Sequence, residues 1–371
     1  MKPPIPQALP LTDFKWEQLI PIISRVNRSL GRYEGTLKGV PEPDVLLSPM
    51  TTQEAVLSSR IEGTQATLGE VLKFEAGEKP EQEAILLDIN EIINYRKAMG
   101  FAESALKTKP FNLNLLLELH AILLDSVRGR NKEPGRFRKT QNHIGKPGSK
   151  IEEAYFVPPA PLDLMRHLDN WEKYYHAERP DPLVQLAVVH AQFEIIHPFS
   201  DGNGRLGRML VPLFLFEKKL LSRPVFYLSE YFEERRGEYI ERLRNIGKSQ
   251  DAWTLWIEFF LTAMDEQARR NTVKAEAIME LYERLKSNFI QLVHSQYAVP
   301  LMDRMFERPV FHPTHLKLQG TKNPARMTVF RWMRALVHAG ILEVIREAKG
   351  SRPQLLALAE LINLCEGKKV F

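Results

Sequence analysis

Apolar positions recur at the helical period over most of the chain. From Trp16 onward, Leu19, Ile22, Ile23 and Val26 return every three or four residues, the spacing that gives a helix one buried face. Leu46 and Leu47 precede Ser48-Pro49, a turn signal. The run Thr51-Thr-Gln-Glu54 has the capping-box pattern. It predicts a helix with Thr51 as N-cap, running through Ala55, Val56, Leu57 and Ile61 and stopping near Gly63. Residues 67–74, 84–99, 113–124, 162–175, 183–197, 204–219, 230–246 and 252–263 read as further helices. A polar helix over 265–293 leads to the last part of the chain.

Two stretches depart from this period. Residues 128–161 hold Gly129, Gly135, Gly145, Gly148 and five prolines. Within them Asn142-His-Ile144 and Ala154-Tyr-Phe-Val157 flank Lys146-Pro-Gly-Ser149, which predicts a β-hairpin. In the tail, a short helix at Thr314 and a helix over 327–337 ending at Gly340 precede strand-like runs at 341–345 and 354–357. Helix, turn, helix and hairpin is the winged-helix order. The prolines of the first ten residues predict an extended arm. The fold expected is mainly α, divided into 1–100, a core over 101–265, and a linker helix with a winged-helix-like domain over 266–371.

Composition narrows the class. Apolar residues make up 44% and charged residues 26% of 371, ordinary globular usage, which excludes a disordered, collagen-like or disulfide-framed chain. The single cysteine, Cys365, precludes an intrachain disulfide or a cysteine-only metal site. The longest clean apolar run, 209–216, contains Pro212 and is far short of the ~20 residues that span a bilayer. The start Met1-Lys-Pro-Pro-Ile-Pro lacks the apolar stretch of a secretory signal, so a cytoplasmic protein without membrane partners is expected. Net charge is +5. Residues 271–371 hold 15 Lys/Arg against 9 Asp/Glu, so the excess lies in the tail, where a nucleic-acid contact and a solvated face are both open.

The densest chemistry is His197-Pro-Phe-Ser-Asp-Gly-Asn-Gly-Arg-Leu-Gly-Arg208. A residue before proline is pushed out of the α region, so His197 should end a helix facing a loop. Gly202 and Gly204 permit tight turns and close backbone approach, and the next helix starts there with unpaired N–H groups, an anion site. Arg205 and Arg208, three apart, share a face and suit a polyphosphate. Asp201 at the mouth suits Mg²⁺ between phosphates, and His197 a general base. Glu194-x-x-His197 has the spacing of a carboxylate di-metal helix, but that site needs a second such pair, which the sequence lacks. His190, two turns before His197, reads as a core residue or a support for the site.

The run resembles the Fic motif, His-x-Phe-x-(Asp/Glu)-Gly-Asn-Gly-Arg-x-x-Arg, at every fixed position. The resemblance, which covers roughly 10–265, implies transfer of AMP from ATP to a hydroxyl of a target protein, with Mg²⁺. Carried over by position, His197 deprotonates the hydroxyl and Asp201 holds the metal. Asn203 and the Gly202–Gly204 amides bind the α/β-phosphates, and the helix turn Arg205, Leu206, Gly207, Arg208 faces the triphosphate. Ser58-Ser-Arg-Ile-Glu62-Gly63 is similar to the family's inhibitory motif, on a helix placed at about 51–63. By resemblance Glu62 pairs with Arg208 and occupies the γ-phosphate position. The predicted hairpin is similar to the family's flap, whose strand edge registers a target segment. Tyr239 falls where the family places an aromatic against adenine, beside Ile240 where a second aromatic is expected, and Asn245 is a further candidate nearby. The implied partners are a target protein and a second copy of this chain. AMP removal, transfer of another nucleotide or phosphoryl group, and a nucleotide-sensing DNA-binding regulator remain as alternatives.

Overall fold

The computed structural model describes residues 6–11, 15–125, 132–145, 150–249, 251–318, 324–350 and 352–371. The chain opens with α1 (Trp16–Gly39), α2 (Pro43–Leu46), α3 (Ser48–Ile61), α4 (Leu68–Glu75), α5 (Glu83–Leu106) and α6 (Leu113–Leu123). It continues with α7 (Leu164–His176), α8 (Pro182–Ile196), α9 (Asn203–Glu217), α10 (Ser229–Glu234), α11 (Arg236–Asn245) and α12 (Ala252–Val293). The tail holds α13 (Ala298–Glu307), β1 (Val310–Phe311), α14 (Arg326–His338), β2 (Glu343–Arg346), β3 (Leu355–Ala357) and α15 (Ala359–Glu366). The expected mainly helical class holds. Among the described residues, no helix is long and apolar enough to cross a membrane.

These elements sort into two units. One comprises Met1–Glu34, Leu57–Gly63 and Ile93–Arg269. Its centre is α8, apolar all round and therefore buried on all sides, packed against α7 and α9. Asp181 caps α8 by accepting from the amides of Leu183 and Val184, with Pro182 in the first turn where no amide partner is missed. Each large side chain sealed here contributes ~1.5–3 kcal/mol. Of the expected arm, residues 6–10 are described, and Leu9 exchanges two 2.8 Å hydrogen bonds with the Asn170 amide of this unit.

The other unit comprises Gly35–Val56, Thr64–Ile92 and Arg270–Phe371. Its three-stranded antiparallel sheet runs β1-β3-β2, with Phe311 opposite Leu356 and Val344 opposite Leu356 on the other edge. Glu78 bridges His312 and Arg346 beside this sheet. The expected tail helix and hairpin are α14 and β2–β3, and the short helix at Thr314 is a single 3₁₀ turn. The small α2 and β1 carry too few positions to show a period, whereas α13, absent from the expectations, does show one in Ala298, Leu301, Met302, Met305 and Phe306.

Several expectations are corrected. Ser48-Pro49 starts α3 rather than a turn, because a proline in the first helical turn lacks only an N–H that has no partner there. Thr51 and Glu54 are therefore interior, and the Thr51 hydroxyl donates to the Leu47 carbonyl. The capping box lies instead at Thr67 and Glu70, opening α4. The helix expected over 230–246 breaks at Arg235 into α10 and α11. Those expected over 252–263 and 265–293 are one 42-residue helix, α12, since no glycine or proline separates them. Among the described residues, the expected hairpin over 142–158 shows a single bridge, Ile144 with Phe156, and a 3₁₀ turn over Ile151–Glu153 lies between them in the chain. Its turn at Lys146–Ser149 lies outside the described residues, as do residues 126–131.

Candidate active site

His197 terminates α8 in the left-handed conformation, φ 49°, which a non-glycine residue adopts only when its surroundings fix it. Pro198 forces that departure from the helix. Arg138 holds it: its buried guanidinium donates to the carbonyls of His197 (2.9 Å) and Pro159 (2.6 Å), and at 3.4 Å to those of Ile196 and Thr140. Its own amide donates to the Pro198 carbonyl. Burial lowers the Arg138 pKa to about 10, still cationic at neutral pH.

The His197 ring is half-buried, and its Nδ1 lies 3.3 Å from the Glu194 carbonyl. A carbonyl only accepts, so Nδ1 carries the proton and Nε2 keeps a lone pair. Desolvation lowers this imidazole to about 4, against the opposing pull of the Glu194 carbonyl and Glu62, so it is neutral at pH 7. A neutral ring with a bare Nε2 is in the state a general base requires.

The loop after His197 is built from its own residues. Phe199 is buried and stacks on His120 at 3.8 Å between centroids. The Asn203 side chain turns inward, accepting from the Phe199 amide and donating to the Phe199 carbonyl. His120 Nδ1 accepts from the Gly135 amide, so Nε2–H donates to the Asp201 carbonyl at 3.1 Å. Burial lowers the His120 pKa to about 4, in keeping with that neutral tautomer. Gly202 begins α9 with φ 79°, where a Cβ would also press on Leu123 at 3.3 Å. The Asp201 carboxylate accepts from the Gly202 amide at 2.6 Å and lies 3.7 Å from Arg205. Its side chain is 43% exposed, which puts it at the mouth.

Arg208 lies deep, with its side chain 2% exposed. Its Nε donates to the Ser58 hydroxyl, and one Nη donates to the Ser58 carbonyl and, at 2.6 Å, to Glu62 Oε1. Glu62 follows the last turn of α3, its side chain 40% exposed while its carboxylate reaches Arg208. Gly63 then reverses the chain with φ 108°. Burial alone would raise the Glu62 pKa, but the Arg208 charge and hydrogen bond, with Arg205 and His197, outweigh it and hold the carboxyl below its ordinary value. A Cβ at Gly204 would stand 2.2 Å from Glu62 Oε1, so a larger residue there would displace that carboxylate. At Gly207 a Cβ would stand 2.2 Å from Glu194 Oε1. That buried oxygen has no hydrogen-bond partner, and desolvation raises the Glu194 carboxyl to about 7, with Arg208 opposing.

Ser58, Glu62, His197, Asp201, Gly202, Gly204, Arg205 and Arg208 thus converge on the start of α9. Leu206 is buried with its side chain in the core. Tyr239 on α11 is buried, its ring stacked on Phe232 at 4.3 Å and its hydroxyl hydrogen-bonded to His190 Nε2 at 3.0 Å. Asn245 at the end of α11 is exposed and pairs with Lys248. Sequence reasoning missed Arg138 and His120. Both sit where no motif marks them, although Pro-Gly-Arg-Phe-Arg138 placed a cation and a glycine turn in one irregular run. Among the described residues, no three His, Cys, Asp or Glu side chains converge as a metal cage.

The chain is similar to known proteins of one family. The Fic/DOC family N-terminal pattern matches residues 20–103, and the Fic/DOC family pattern matches 110–215. A probable protein adenylyltransferase of Aquifex aeolicus is 26% identical over 73% of this chain and 82% of its own. A protein adenylyltransferase Fic of Nematostella vectensis is 28% identical over 43% of this chain, which spans about a third of that longer protein (36%). Among solved structures, a Fic family protein from Desulfovibrio desulfuricans has the same fold, with TM-score 0.59 and 19% identity over 96% of this chain and 98% of that one. Fic-1 from C. elegans superposes with TM-score 0.52 and 20% identity over 72% of this chain and 75% of that one. The motif at His197–Arg208 and these matches agree: the chain belongs to the Fic/DOC family.

Proposed function

We propose that the chain is a protein adenylyltransferase that moves AMP from ATP to a Ser, Thr or Tyr hydroxyl of a target protein, and of itself, and that Glu62 restrains it. One observation carries the reading: a neutral His197 with a free Nε2 stands at the glycine-framed start of α9, beside an Arg208 already paired with a carboxylate. The adenylyltransferase names of the relatives support the same chemistry.

The target hydroxyl oxygen attacks the α-phosphorus, and its proton passes to His197 Nε2. The bond from that phosphorus to the bridging oxygen breaks, and pyrophosphate leaves. The α9 amides and Arg205 offset the charge that gathers on the phosphate oxygens. Asn203 contributes by fixing the loop, and Arg208 takes the terminal phosphate. Glu62 competes for that same guanidinium, so ATP bound against it sits unproductively. The residues suit Mg²⁺: the ion needs one or two carboxylates besides phosphate oxygens and water, and Asp201 is an exposed carboxylate at the mouth. When bound, the metal would neutralise phosphate charge.

The succession α13, β1, α14, β2, β3 reads as a winged-helix-like domain. A second reading, DNA contact through α14, rests on the basic excess of the tail and on the exposed Arg331 and Arg334. Its mark would be salt-dependent duplex binding lost when both arginines are changed.

The test uses Mg²⁺, α-labelled ATP and intact mass. Glu62→Gly should raise AMP incorporation about tenfold or more, since losing a charged hydrogen bond worth ~1.5–3 kcal/mol shifts the competition by at least that factor. Adding His197→Ala should abolish it while ATP still binds. Incorporation retained without His197 would remove it as the base.

A further inference from the structure

The last turn of α3 ends on four carbonyls that no later turn of the helix can serve, those of Ser58, Ser59, Arg60 and Ile61. Two are met locally. The Glu62 amide donates to Ser59 at 3.0 Å, and the Gly63 amide to Arg60 at 2.9 Å. The other two accept from guanidinium groups distant in the chain. Arg208 on α9 serves Ser58 at 2.8 Å, and Arg236 on α11 donates its Nε–H to Ile61 at 2.9 Å. Positive charge is favourable there, because the carbonyl end of a helix is the negative end of its dipole. Arg236 holds this place because the chain breaks at Arg235, which leaves the helical region with φ −117° and ψ 33°, so that α11 begins at the next residue. Ile61 is buried, whereas Arg236 is exposed apart from this contact.

We infer that Arg236 is a positioning residue for Glu62: by holding the Ile61 carbonyl it keeps the next residue's carboxylate beside Arg208, and so sets the strength of the restraint. This rests on the restraint by Glu62 proposed above and names the residue that maintains it. Glu62 and the terminal phosphate compete for the Arg208 guanidinium, which also holds the Ser58 hydroxyl and carbonyl. A helix end tied by Arg208 alone would be loosened by the very nucleotide that claims that side chain. Arg236 takes no part in the competition, since its Nε–H goes to the backbone of α3. With Ile61 anchored, Glu62 is one peptide bond from a fixed point, and its effective concentration at Arg208 stays high while ATP is present. Bound ATP then keeps meeting the carboxylate instead of driving it off.

The experiment measures AMP incorporation from α-labelled ATP for Arg236→Ala and Arg236→Lys, each alone and combined with Glu62→Gly. Arg236→Ala alone should raise incorporation about threefold to tenfold, the scale of one partly exposed hydrogen bond, and by less than Glu62→Gly does. Combined with Glu62→Gly the same substitution should change incorporation by less than about twofold, because no carboxylate is left to hold. Arg236→Lys keeps a cationic N–H donor at the helix end and should retain most of the restraint. In parallel, hydrogen exchange at the Glu62 and Gly63 amides should quicken in Arg236→Ala, since both lie in the turn that the arginine anchors. Incorporation that stays unchanged in Arg236→Ala while Glu62→Gly raises it would overturn the inference. So would an equal change in both backgrounds, which is what a merely structural residue gives. If Glu62→Gly itself does not raise incorporation, the restraint reading fails, and exchange at residues 62 and 63 alone decides whether Arg236 holds the end of α3.

Discussion

Hydrogen-bond direction fixes the protonation of three histidines around one loop, and each is neutral for the same reason. His120, His190 and His197 each face a backbone group of known polarity, and desolvation lowers their pKa values to about 4, 3 and 4. An unfolded histidine takes up its proton near ~6.5. Between that pH and about 4 the unfolded chain binds protons the folded chain refuses, so stability present above 6.5 is lost as pH falls through this window. Glu194 works in the opposite sense. Its folded carboxyl titrates near 7, above an unfolded value near ~4.3, so it destabilises increasingly as pH rises between them. Glu194→Gln should therefore raise the melting temperature over wild type at pH 8 and leave it nearly unchanged at pH 4.5. The difference is on the order of 1–3 kcal/mol. Equal gains at both pH values would mean the carboxyl is not held neutral. NMR of the ring nitrogens should find His197 neutral, with its one proton on Nδ1, down to pH 5.

At the scale of elements, the loop between α8 and α9 is short and its geometry comes from neighbours distant in sequence. His197 to Arg208 was readable because motif chemistry is local: a proline to end α8, glycines to start α9, two arginines on one face. The inward turn of Asn203 was not, because an amide that clamps its own loop and one that faces phosphate have the same spacing. Nor was the setting of Tyr239, whose place in sequence does not show that its ring is buried on Phe232 and its hydroxyl taken up by His190. The long regular helices showed themselves by period. The break at Arg235 and the fusion of two expected helices into α12 did not, since propensity near a boundary is weak beside tertiary packing. Arg138 is the clearest case of support without a motif. One buried guanidinium satisfies the carbonyls of four residues, so Arg138→Ala leaves several buried acceptors unpaired at ~1–3 kcal/mol each. That variant should lose on the order of 3 kcal/mol or more of stability. Arg138→Lys should fold better yet still lower the AMP-transfer rate, because a single ammonium cannot reach the carbonyls on both sides of His197. A lysine variant with unchanged rate would show that the left-handed His197 conformation needs no clamp.

At the scale of the whole molecule, four helices belong to both compact units. The divisions fall within α1 at 34–35, α3 at 56–57, α5 at 92–93 and α12 at 269–270. The helix that carries Ser58 is thus begun in one unit and finished in the other. Helix formation is cooperative, so melting one half of such a helix frays the remainder. The chain supplies a probe for each unit. Cys365 is buried in the tail unit, and desolvation raises its thiol to about 12, so it should resist thiol reagents until that unit opens. Four of the five tryptophans, Trp16, Trp171, Trp253 and Trp256, lie in the unit that holds the active site, with only Trp332 in the other. Because four helices are shared, thiol labelling and tryptophan fluorescence should report the same midpoint along a urea titration. A thiol that becomes reactive well before the fluorescence changes would show the tail unit unfolding by itself. In that event the first half of α3 should lose its amide protection with the thiol, and AMP incorporation at that urea concentration should rise as Glu62 leaves Arg208.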